Sequence, residues 1–116
     1  MSLEKLVEAF AQNIAAQTDC ILRGDARAGN KHAEKALAAF MALREKGDPG
    51  RDALAALFSH ARMDVRVTAA AFLLRHKTAE ATALLEDAAR GQGLAALGAQ
   101  QTLRNWQEGS WALDLA

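Results

Sequence analysis

Apolar side chains recur at Leu3, Leu6, Val7, Phe10, Ile14 and Ile21, the spacing of one helix face. Ser2 is placed to cap this first helix, Gly24 to end it, and Asp25 to cap the next. A second helix is expected over 26–46, burying Ala33, Ala36, Leu37, Phe40, Met41 and Leu43. Its opening turns are polar and contain Gly29, so a start near Asn30 stays open. The stretch KGDPGRD is the clearest boundary: Gly47 suits a position just past a helix, Asp48 an N-cap, and Pro49 a first helical position.

Four further helices follow from the same pattern. The third, 49–59, buries Leu54, Leu57 and Phe58. Asp64 can cap a fourth helix over 65–75, and Thr78 a fifth over 79–90. Gly91 and Gly93 mark a turn before a sixth, 94–107. The ending EGSWALDLA carries Trp111, Leu113 and Leu115 and is expected to pack back onto the helices. The first helix has no counterpart among the others. It is expected to cap the stack, with self-association through it as the other option.

The chain carries traces of an internal repeat. At a shift of 29, Val65 falls on Leu94, Ala70 on Ala99, Leu74 on Leu103 and Arg75 on Arg104. At a shift of 31, Ala39 falls on Ala70, Leu43 on Leu74 and Arg44 on Arg75. Leu57 and Phe58 fall on Leu84 and Leu85 at a shift of 27. Small residues at mid-helix let neighbouring helices approach, and leucines beside them fill the seam. An ordinary helical bundle with alanine-rich seams fits the same pattern.

The stretch DVRVTAAAFLL resembles the start of a HEAT-type repeat, in which an acid is followed by a Val-Arg pair and then alanines and leucines. That resemblance implies that Arg66 contacts an acid or carbonyl of a neighbouring repeat. The chain as a whole is similar to a family of small bacterial proteins catalogued as a domain of unknown function, number 2019 in that series. The similarity rests on LVEAFAQNIAAQTDCILRGDARAGNKHAEKALAAF, DVRVTAAAFLLR and EGSWALDLA. It implies a bacterial cytoplasmic protein with a HEAT-like superhelix and brings no catalytic residues. Some small bacterial proteins of this kind are immunity partners of secreted toxins, which is an analogy of fold alone.

Composition narrows the function more than it changes the fold. The chain has 116 residues, half of them apolar, with a single proline, no tyrosine and few β-branched residues. That favours one all-helical domain with a real core. Fourteen basic residues balance fourteen acidic ones, whereas generic binders of a phosphate backbone carry a basic excess. One cysteine, Cys20, forms no internal disulfide, no apolar run approaches a membrane span, and MSLEKLVEAF does not read as a signal peptide. A cytoplasmic protein is expected.

No catalytic constellation emerges. His32, His60 and His76 are not spaced as metal ligands and are expected to be solvated. Cys20 lies between Asp19 and Arg23, which act on a thiol in opposite directions, and reads as a small buried side chain. Ser59 beside His60 is no dyad, because adjacent helical residues diverge. GQG at 91–93 follows no strand and precedes no Gly-Lys-Ser/Thr.

The reading is therefore an all-α chain: an α-α superhelix of about six helices in HEAT-like hairpins. It forms one domain, 1–116, with a capping helix 1–22, hairpins 26–107 and a tail 108–116. It is expected to be a non-enzymatic protein-binding module without cofactor or metal. The expected surface is a basic edge of Arg62, Arg66, Arg75 and His76, with Arg44 and Arg104 at equivalent positions, and an acidic face of Asp52, Glu80 and Asp87. Nucleic-acid binding through the arginine edge is the alternative. A merely solvated edge would look the same in sequence.

Overall fold

A computed structural model describes residues 2–110. Among the described residues there are six α-helices: α1 (Leu3–Leu22), α2 (Ala26–Glu45), α3 (Asp48–Ala55), α4 (Met63–Phe72), α5 (Thr78–Ala89) and α6 (Leu94–Gln107). A 3-10 turn, Ala56–Ser59, follows α3, and no strand occurs among the described residues. The tail expected to fold back over the helices lies, from Trp111 onward, outside the described residues. The chain groups into two compact units, Met1–Leu57 and Phe58–Ala116.

In the N-terminal unit α1 and α2 form a long hairpin. Ser2 caps α1 by accepting the Lys5 amide at 3.2 Å, and Asp25 caps α2 by accepting the Ala28 amide at 3.1 Å. Between them Gly24 takes φ +78°, a conformation that costs glycine little. The seam buries Leu6, Phe10, Ala11, Ile14 and Cys20 from α1 against Ala36, Ala39, Phe40 and Leu43 from α2. Across it His32 Nδ1 and Asn13 Oδ1 share a hydrogen bond of 2.9 Å. Thus α1, expected as a cap on a later hairpin, is itself half of one, because three residues are enough to turn the chain back on itself.

The stripe expected on α2 divides in two. Gly29, Ala36, Phe40 and Leu43 face α1, with Ala33 half-buried beside them. One residue further on, Leu37 and Met41 remain 46% and 41% exposed. A shift of one residue turns a helix by about 100°, so these two leave the seam although they are as apolar as those inside it. On α1, Ile21 likewise stays exposed instead of joining the core.

α3 leans on the end of α2 through a glycine. A Cβ at Gly50 would collide with the Leu43 carbonyl, so only a bare backbone fits there. The helix starts one residue earlier than expected. Gly47, at φ 71° and ψ −147°, is the N-cap, and Asp48 falls inside the first turn. Arg51 is only 8% exposed and reaches Asp48 at 4.0 Å.

The C-terminal unit packs α4, α5 and α6 against one another. Its core joins Val67, Ala70, Leu74, Ala81, Leu85, Ala88 and Ala99, flanked by Phe58, Leu84, Leu103 and Trp106. Two expected caps do other work. α4 begins at Met63, so Asp64 lies within its first turn. The Thr78 hydroxyl donates back to the Leu74 carbonyl at 2.6 Å, closing the preceding turn. α4 also stops at Phe72, and Leu73–Arg75 form a turn in place of the last helical turn.

Positions matched at the shift of 29 agree in burial at mid-helix and differ toward the helix ends. Ala70 and Ala99 are both fully buried in one core, with Leu74 inside it and Leu103 against it. Val65 is buried whereas Leu94 is exposed. Arg75 lies beyond α4, whereas Arg104 lies within α6. Leu57 and Leu85 are buried while Phe58 and Leu84 are half-buried, so that pair matches one residue out of phase.

Candidate partner-binding surface

Of the basic residues expected to form an edge, two are occupied at the start of α4. Arg62 grips the Asp64 carboxylate with two bonds, Nε to Oδ1 and Nη2 to Oδ2, both 3.0 Å. Bidentate pairing of this kind fixes geometry as well as charge. Asp64 also accepts its neighbour's amide, Val65 N–H, at 2.9 Å, and its carbonyl receives the Thr68 hydroxyl at 2.8 Å. Arg66 Nη1 donates to the His60 carbonyl at 2.6 Å. The implied carbonyl contact of Arg66 is therefore present, but to the connector before its own helix instead of to a neighbouring repeat. His60 completes the knot, its Nδ1 accepting the Arg62 amide at 3.0 Å. That bond requires the tautomer with its proton on Nε2. Arg62 and Arg66 thus shape the connector 60–64.

The other candidates remain on the surface. Arg75 is exposed in the turn between α4 and α5, with His76 and Lys77 half-buried after it. This turn leads into the N-terminus of α5, where unpaired amides already carry partial positive charge. Glu80, Glu86 and Asp87 are exposed on α5 itself. Asp87 holds Arg90 at 2.7 Å, a pair with both side chains in solvent. Asp52, also exposed, belongs to the N-terminal unit, so the seven candidates are not one cluster. Arg44 is half-buried in the N-terminal unit, and Arg104 is exposed on α6.

Sequence reasoning missed the exposed apolar positions. Leu94 and Leu97 on α6 are 45% and 60% exposed, and the space around Gly98 is open. Apolar residues at helical spacing are assigned to a core by periodicity, and only the packing shows which of them are left over.

Other chemistry stays modest. Cys20 is buried as expected, and Arg23 Nη2 lies 3.2 Å from its sulfur. All three histidines are half-buried, which corrects the expectation of solvated rings. His32 and His60 are engaged in the bonds already described. No group of three or more His, Cys, Asp or Glu residues suited to a metal occurs among the described residues, and none of their helices is long and apolar enough to cross a membrane. A shallow open depression of about 400 Å³ in the N-terminal unit is lined by Leu6, Ala42, Glu45 and Lys46. Those residues offer no nucleophile beside a base.

No protein-family model matches the chain, and no curated protein or solved structure shows significant similarity to it.

Proposed function

We propose that this chain is a non-enzymatic protein-binding module of the cytoplasm, with its hairpins in a HEAT-like superhelix. A bacterial immunity or adaptor protein is its concrete form. The observation that carries the reading is the separation of charge on the C-terminal unit. A basic turn with exposed Arg75 leads into α5, whose surface bears Glu80 and Glu86, with Asp87 paired to Arg90 at its far end. Such a surface favours a partner of complementary charge pattern and steers its approach. Balanced overall charge gives a polyanion less purchase than a protein that carries both signs. Arg62 and Arg66 hold the connector 60–64 that leads into α4.

The test is retention of partners from cell lysate on the immobilised protein at low and high salt, with the Arg75→Glu variant in parallel. The reading expects one stoichiometric protein, kept by the parent chain and lost by the variant. Nucleic acid held at low salt and released at high salt would replace it with the alternative. Identical retention by both chains would remove the basic turn from the site.

A further inference from the structure

We propose that α2 forms an antiparallel two-fold pair with α2 of a second copy of this chain, a self-association distinct from the partner surface on α5. The helix carries two seams side by side. One is Gly29, Ala33, Ala36, Phe40 and Leu43, directed at α1. The other is Asn30, Glu34, Leu37, Met41 and Arg44, one residue further round. Both step by four, three, four and three residues, the spacing of a helix–helix seam with about 3.5 residues per turn. The first seam is filled by α1. In the second, Leu37 and Met41 stay 46% and 41% exposed, Asn30 and Glu34 are exposed, and Arg44 is half-buried.

The charges on the second seam select the occupant. Glu34 lies five residues before Ala39 and Arg44 five residues after it, while Leu37 and Met41 flank it by two on either side. A two-fold axis at Ala39 therefore sets Leu37 of one copy against Met41 of the other. It also sets Glu34 against Arg44, and both contacts occur twice. An isologous interface requires this kind of self-complementarity. A parallel pair would bring Glu34 to Glu34 and Arg44 to Arg44, which like charges oppose. The paired stretch from Glu34 to Arg44 spans only about 15 Å at about 1.5 Å per residue, so the pair is weak and forms at high protein concentration.

Sedimentation velocity over a rising concentration series tests this on the full chain. The parent chain shifts toward a dimer, whereas Glu34→Arg and Arg44→Glu each raise the dissociation constant by roughly tenfold, since two ion pairs become two repulsions. Mixing the two variants restores association, because each then supplies the charge that the other lacks. Met41→Lys abolishes the dimer without altering either charge of the pair, and a preserved helical circular dichroism spectrum shows that each variant is folded. A parent chain that stays monomeric at about 1 mM overturns the proposal. So does a mixture that associates no better than its separate components.

Discussion

Phe10 and Phe40 fill the seam of the N-terminal hairpin, with Leu6, Ile14 and Leu43 around them. In the C-terminal unit Ala69, Ala70, Ala71, Ala81, Ala88, Ala96 and Ala99 are buried together with Val65, Val67, Leu73, Leu74 and Leu85, and no aromatic ring is fully buried among its described residues. The two units also differ in helix length. α1 and α2 have 20 residues each, whereas α4, α5 and α6 have 10, 12 and 14. A long hairpin can be stabilised by a few large side chains along one seam. Short helices gain more from close approach, and alanine permits it, because interhelical distance follows side-chain size. The difference is one of proportion: two phenylalanines dominate the first seam, whereas alanines alternate with leucine and valine in the second.

Removing volume should therefore damage the first unit most. Phe40→Ala is expected to lose about 3–5 kcal/mol of stability in urea titration followed by circular dichroism. A loss below about 1 kcal/mol would mean that the seam collapses around the gap. Gly50→Ala comes next, at about 3 kcal/mol, since the new methyl meets the Leu43 backbone, which cannot rotate away. In the second unit adding volume is the damaging change. Ala70→Leu should cost about 1–3 kcal/mol, and a neutral result would show that the alanine seam has room to spare. The smallest effect has the opposite sign. A Cβ at Gly29 would meet Cys20 Cβ, Gln17 O and Ile21 Cγ1 at 3.6 to 3.7 Å, ordinary contact distances. Gly29→Ala should then stabilise α2 by about 0.5–1 kcal/mol in the same titration. Two buried glycines of one unit thus answer the same substitution oppositely, and the backbone of Leu43 makes the difference.

All six helices and their order were legible from periodicity and punctuation, because Gly24, Gly47 and Gly93 fall where positive φ is needed. Ser2 and Asp25 were legible as caps, since each lies three residues before an amide that it can reach. Asp64 and Thr78 look alike in sequence and bond elsewhere. An oxygen beside a helix start can reach forward to an amide, back to a carbonyl, or sideways to an arginine, and local sequence does not decide among them. Arg62 and Arg66 were visible as charges but not as the braces of a connector, because their partners, Asp64 and the His60 carbonyl, are chosen by the path of residues 60–64. The split of the α2 stripe was present in the numbering all along. Reading it needed the direction of α1, which sequence spacing alone does not supply.

Cys20 is the only cysteine in the chain and lies buried where the two long helices meet. A thiol reagent reaches it only when that end of the hairpin opens, so its labelling rate is a clock for a local event that needs no engineered probe. In the regime where closing outruns reaction, each tenfold slowing of labelling corresponds to about 1.4 kcal/mol of opening free energy. Stabilising the start of α2, as Gly29→Ala should, would slow the clock. A change at the far end of the hairpin would move it only if the two helices part as one piece.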